Sequence, residues 1–173
     1  FMEAPLHSSD DKVAEKSFKI LERLLETAKI LKITDIVIPC VDQSTLNGKE
    51  AVDRFIVQMK KIIPTLDKYC VNLSLETDLA PKPFVELLST LNSKRITVNY
   101  DIGNSAALGF DSIKELEAYG HKISDIHIKD RVLNGGPVKL GKGNADFVKF
   151  FNKLKSFDYQ GPFIMQAFRD EEG

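Results

Sequence analysis

The chain has almost no net charge, few cysteines and no long apolar run, and each shortage excludes something. Its 24 lysines and arginines stand against 25 acids, for a net charge of −1. The two signs are interspersed with no basic stripe, so the footprint of a nucleic-acid-binding protein is missing. The two cysteines, Cys40 and Cys70, lack metal-type spacing. They are expected as buried free thiols in a reducing compartment, which points to the cytoplasm. No apolar run approaches the roughly 18 residues of a membrane span. Also missing is a glycine fingerprint that follows a strand and opens a helix. The stretch "GGPVKLGKG" follows no strand directly, so a dinucleotide-binding sheet finds no support.

What is present is a chain of 173 residues, 43% of them hydrophobic, enough for one core and one domain over 1–173. Strand and helix signals alternate along it. "FMEAPL" reads as a short strand, and "EKSFKILERLLETAKIL" as a helix with Phe18, Leu21, Leu25 and Ala28 at helical spacing. "TDIVIPCV" is a strand, "KEAVDRFIVQMKKIIPTLDKY" a helix, "VNLSLETDL" a strand, and "PKPFVELLSTL" a helix opened by prolines. "RITVNYDIGNSA" is a strand running into a Gly-Asn turn, and "SIKELEAYG" a helix closed by Gly120. "ISDIHIKDR" is a strand, "VLNGGPVKLGKGN" a glycine-rich loop, "ADFVKFFNKLKSF" a helix, and "GPFIMQAF" a last strand. Six strands with five helices between them predict an α/β fold on a parallel sheet. Two architectures fit: an open doubly wound sheet or a closed (β/α)8 barrel.

Polar residues recur where strands end. Glu76 ends "NLSLE", Asp101 ends "TVNYD", His127 lies late in "ISDIH" and Gln166 late in "FIMQ". In "SDIHIKDR" the period of two puts Ile126 and Ile128 on one face and His127 and Lys129 on the other. In a barrel all four strand-end groups point inward at the end that carries active sites. Two carboxylates, an imidazole and an amide oxygen make a mixed O/N donor set for a divalent metal. Around them, His7, Asn104, Lys129, Arg131, Lys142 and Arg169 lie in or beside C-terminal loops, in reach of sugar hydroxyls or a phosphate. The glycine-rich loop could add backbone N–H groups. Asp130 and Arg131 read as a local ion pair of little energetic weight.

"LETDL", "VNYDIGNSAALG", "IHIKDR" and "VKLGKGNADF" together resemble the xylose-isomerase-like barrel family, and within it the sugar-phosphate isomerases and epimerases. The resemblance spans nearly the whole chain and is most specific where Asp-x-Gly-Asn and His-x-Lys-Asp fall on successive strands. It implies a (β/α)8 barrel, with "FMEAPL" as its third strand. A barrel of about 250 residues would then have two βα units upstream of this chain and a helix downstream. The expectation is a partial barrel with exposed sheet edges, poorly soluble or prone to associate.

The resemblance also implies a metal held by Glu76, Asp101 and His127, with Mn, Mg, Co or Zn all admissible. A second glutamate is expected from the last strand, where this chain has Gln166. The implied activity is isomerisation or epimerisation of a small-molecule sugar or sugar phosphate by proton transfer through an enediolate. Glu76 is the implied base. Gln166 cannot serve as a second one, because an amide takes no proton near neutral pH. That departure leaves a polyol or inosose-type dehydratase and a non-catalytic sugar-binding barrel as alternatives. The fold also hosts apurinic-site endonucleases, but their three-metal cluster needs more ligands than three histidines allow. No nucleic acid or membrane partner is expected, and a homodimer is allowed.

Overall fold

Helix α1 (Asp11–Leu31) starts four residues before the expected run, because Asp10 caps it by accepting the Lys12 N–H at 2.8 Å. It buries Ala14, Ser17, Leu21, Leu25 and Ala28, a stripe at three- and four-residue spacing, and stops at Lys32 in the left-handed conformation. The computed structural model describes residues 3–166 and Phe168, and the chain divides into two compact units, residues 1–97 and 98–173.

The first unit alternates α1, β1 (Asp35–Cys40), α2 (Gly48–Tyr69), β2 (Asn72–Thr77) and α3 (Pro81–Leu91) before β3 (Ile96–Asp101), which crosses the division. β1 and β2 pair in parallel, with Pro39 opposite Glu76 and Cys40 opposite Thr77. The Leu73 N–H donates to the Arg95 carbonyl at 2.8 Å, joining β2 to the lead-in of β3. Phe55, Met59, Ile62 and Leu66 of α2 and Leu73 and Leu75 of β2 are fully or almost fully buried. α3 begins at Pro81, whose missing N–H costs nothing in a first turn.

The second unit continues from β3 with α4 (Ile102–Leu108), α5 (Ser112–Tyr119), β4 (Ile123–Ile128), β5 (Asp130–Arg131), β6 (Pro137–Val138), α6 (Phe147–Leu154) and β7 (Phe163–Met165). β3 pairs with β4 and β4 with β7, all in parallel, while β5 and β6 form a small antiparallel ribbon. The parallel strands follow in the order β1-β2-β3-β4-β7. Every residue of β3 is buried, as in a parallel strand covered on both faces. Tyr100 stacks on Phe150 of α6 with ring centroids 5.0 Å apart. β7, at the end of the order, exposes Phe163, Ile164 and Met165.

Five expectations need correction. Glu3–Leu6 of "FMEAPL" form bends and turns rather than a strand, although Leu6 is buried; Phe1 and Met2 lie outside the described residues. The expected Gly-Asn turn is the first turn of α4, because Asp101 caps that helix by accepting the Asn104 N–H at 2.8 Å. Gly120 does not close α5 in a left-handed conformation; it continues at φ −55 into a short 3-10 turn. A side chain there would meet the Phe157 ring at 2.9 Å, so glycine is kept for contact rather than for a cap. The glycine-rich loop contains the β5–β6 ribbon instead of being irregular throughout. Cys40 is buried, but Cys70 is exposed, because it is the left-handed residue that ends α2.

Two features of the second unit have measurable consequences. A Cβ on Gly103 would lie 2.9 Å from Lys129 Cγ and 3.0 Å from its carbonyl carbon and oxygen. Backbone, not a flexible tip, blocks that space. Gly103→Ala should therefore cost about 1–3 kcal/mol of stability, read as a lower melting temperature.

Glu115 of α5 is buried and accepts hydroxyls from Tyr100 at 2.7 Å, Tyr119 at 2.8 Å and Ser105. Burial pushes its pKa above the ordinary 4.5, outweighing the hydroxyls that pull it down. The stabilisation tied to the raised value is complete below pH 4.5 and is lost as pH rises through the folded pKa. Glu115→Gln stays neutral throughout. The melting temperature of the wild type relative to Glu115→Gln should fall as pH rises above 4.5. A difference that is flat from about pH 4 to pH 8 would refute it.

Candidate functional site

The junction of β3 and α4 places one carboxylate in two environments. Asp101 ends β3 with its side chain only 1% exposed. Its Oδ1 is spent on the Asn104 N–H. Its Oδ2 is buried and accepts no hydrogen bond among the described residues. Instead it faces His127 Nδ1 at 3.8 Å and Lys129 Nζ at 3.6 Å. Register explains the meeting: Asp101 is directly opposite His127 in the β3–β4 ladder, and Lys129 follows on the same face. A buried carboxylate oxygen without a donor is costly unless a cation answers it.

His127 is buried and meets Gln166 on its other side, with the Gln166 Nε2 to His127 Nδ1 distance 2.9 Å. The Gln166 N–H donates to the Ile128 carbonyl at 3.0 Å, which ties this residue to the end of β4. The imidazole tautomer sets which nitrogen donates, and the contact holds the ring beside Asp101. Asp101, His127, Lys129 and Gln166 therefore lie together, with His127 and Lys129 on one face of their strand by its alternation.

Two further motif residues hold the surrounding frame. Arg131 Nη1 donates to Asn104 Oδ1 at 2.8 Å and Nε to the Gly135 carbonyl at 3.1 Å, fixing the guanidinium beside α4. Asn104 is thus a helical residue that holds Arg131, not a left-handed turn residue. Asp130 is not the partner of Arg131 in a weak ion pair. It is buried, and its carboxylate accepts the N–H groups of Gly141 at 2.9 Å, Gly143 at 2.8 Å and Ala145 at 3.1 Å. Those amides face inward, so they form no anion cradle. A side chain on Gly143 would run into Asp130 and the Arg131 carbonyl. Sequence reasoning overlooked Asp130; the signal was an acid after the strand followed by Gly-x-Gly eleven residues on.

In the first unit, Glu76 lies at the C-terminal end of β2. Burial, and then the negative charges of Asp78 and Glu76, push the Cys40 thiol far up, so Cys40 is an inert neutral group. Asp78 accepts the Thr45 hydroxyl at 2.5 Å. His7 is buried, with Nε2 3.2 Å from the Thr45 carbonyl and its ring edge-on to Phe55. Burial lowers its pKa, so it is a packed neutral imidazole. Lys142 is exposed on the loop, and Arg169 lies outside the described residues.

Residues 2–173 match the family model described as a xylose isomerase-like TIM barrel. A curated relative from Escherichia coli O139:H28, L-ribulose-5-phosphate 3-epimerase UlaE, is 28% identical over 180 residues, covering 96% of this chain and 61% of the relative. The solved structure of the IOLI protein with a binding zinc atom superposes with a TM-score of 0.82 at 19% identity, over 96% of this chain and 66% of that one. A structure of L-ribulose 3-epimerase gives 0.80 at 18% identity, over 98% and 60%. The chain thus spans less than two thirds of the length of these relatives. Of the two architectures open to a parallel α/β chain, the matches select the barrel. Among the described residues no helix is long and apolar enough to cross a membrane. With a model match over nearly its whole length, the chain belongs to the xylose isomerase-like TIM barrel family.

Proposed function

We propose that this chain is part of a metal-dependent isomerase or epimerase of a small sugar or sugar phosphate. The observation that carries the reading is Asp101 Oδ2: buried, without a hydrogen-bond donor among the described residues, and facing an imidazole nitrogen 3.8 Å away. A buried carboxylate oxygen beside an imidazole nitrogen suits a divalent cation, whose charge would add to that of Lys129 Nζ 3.6 Å away. By the family's pattern, Glu76, Asp101 and His127 are the proposed ligands, with Gln166 in the fourth place as a neutral donor. Manganese, magnesium, cobalt and zinc all suit such a set. When bound, the cation would polarise a carbonyl and its neighbouring hydroxyl.

The side chains then divide the remaining work. Glu76 takes the proton from the carbon next to the carbonyl, giving an enediolate. Lys129, held 3.6 Å from Asp101, and Arg131, fixed by Asn104, present donors to substrate oxygens. The sugar-phosphate epimerase name of the Escherichia coli relative supports the substrate class. A barrel that only binds its sugar would keep these contacts and lose the proton transfer.

Asp101→Asn separates the cation from the fold, because its remaining oxygen still accepts the Asn104 N–H. Saturating Mn²⁺ should raise the melting temperature of the wild type by the linkage of ligand to the folded state, and leave the variant unmoved. Equal shifts in both proteins would remove Asp101 from the site. In deuterated water, the Mn²⁺-loaded protein should exchange a carbon-bound hydrogen of ribulose 5-phosphate, seen by proton NMR, and Glu76→Gln should slow this at least tenfold. Binding of the sugar phosphate without exchange would leave a binding barrel.

A further inference from the structure

We propose that Lys129 is an exchangeable counter-ion. It answers the Asp101 carboxylate in the metal-free protein and gives way when a divalent cation arrives, which frees its ammonium for an anionic oxygen of the substrate. The inference rests on the metal-dependent reading above and deepens it. Every residue it uses belongs to the second unit.

The Asp101 side chain is 1% exposed, so water does not answer its charge. The Lys129 ammonium lies 3.6 Å from Oδ2, too far for a hydrogen bond and near enough for an ion pair. Attraction without a directional bond is easily exchanged for another positive charge. Oδ1 stays on the Asn104 N–H, so the carboxylate need not turn when its partner changes. On the imidazole side, His127 Nδ1 stands 3.8 Å from the same Oδ2, and Gln166 meets that nitrogen at 2.9 Å.

The lysine is held so that only its tip moves. Its Cγ and its carbonyl group occupy the space where a Cβ on Gly103 would stand, so the backbone and the start of the stem are wedged against α4. Rotation about the bonds beyond Cγ still swings the ammonium, and its side chain is 23% exposed, which leaves room for that swing. A divalent cation carries twice the charge of the ammonium. It therefore takes over the shared oxygen and repels Lys129 from it. The ammonium thus has two opposite effects: it stabilises the metal-free fold and it weakens metal binding. Once displaced, it is a positive charge without its carboxylate and attracts an anionic ligand such as a sugar phosphate.

The test uses the full chain, with Mn²⁺ and ribulose 5-phosphate as probes. Lys129→Met keeps the stem that packs on Gly103 and removes the charge. It should bind Mn²⁺ at least about tenfold more tightly by calorimetry, and its melting temperature in chelator should fall. A lysine with a merely structural role would lower stability and metal affinity together. Lys129→Gln also removes the charge and should tighten Mn²⁺ in the same way, which keeps the test open if the methionine variant does not fold. Lys149→Met removes a positive charge from the pair with Asp111 and should keep the wild-type Mn²⁺ affinity. With Mn²⁺ bound, ribulose 5-phosphate should bind the wild type at least about tenfold more tightly than the uncharged variant, and in chelator this advantage should shrink to less than about threefold. A folded, uncharged variant that binds Mn²⁺ no more tightly than the wild type would overturn the inference and leave the metal-dependent reading intact. So would a sugar-phosphate advantage that is the same with and without Mn²⁺. Failure of the wild type and of both variants to bind Mn²⁺ would overturn both.

Discussion

The second unit is organised around the Asp101 carboxylate. One oxygen caps α4 and so ends β3, while the other is left buried beside an imidazole and an ammonium. A helix cap can be supplied by several residue types on the surface. Here the cap is buried, so its second oxygen is aimed as firmly as the first is bound. The cost of burying an unanswered charge is met by Lys129 and, when present, a cation. Structure and chemistry therefore draw on the same side chain, and a change at Asp101 acts on both.

The Asp-x-Gly-Asn and Lys-Asp-Arg motifs form one interlocking piece. Asp101 caps, Gly103 gives room to the Lys129 backbone, and Asn104 receives Arg131. Asp130, between those two cations, points away and gathers the following loop. Four adjacent residues, His127 to Asp130, thus serve three directions: imidazole and ammonium to the Asp101 carboxylate, Ile128 to the β7 pairing, and Asp130 to the loop. The crowding of charge in "SDIHIKDR" is the visible trace of this division.

The sequence carried most of the architecture because the elements obey simple periods. Leu21, Leu25 and Ala28 of the α1 stripe, the prolines that open α3 and the alternation of β4 all follow local rules, and they appear where those rules put them. Local rules failed where a distant contact decided the outcome. "DIGNSA" became helical because a buried aspartate capped it, and Gly120 was kept for the Phe157 ring. His7 looked like a loop residue in reach of the site, but packing against Phe55 absorbed it. The meeting of Gln166 with His127 could be anticipated from their strand-end positions.

The loop that Asp130 gathers has a kinetic meaning. Three amides between Gly141 and Ala145 are already satisfied, so the segment is a wall standing before any ligand arrives. A flexible lid must spend ordering entropy each time it closes, and its reopening often limits turnover. A wall assembled in advance spends nothing at that moment.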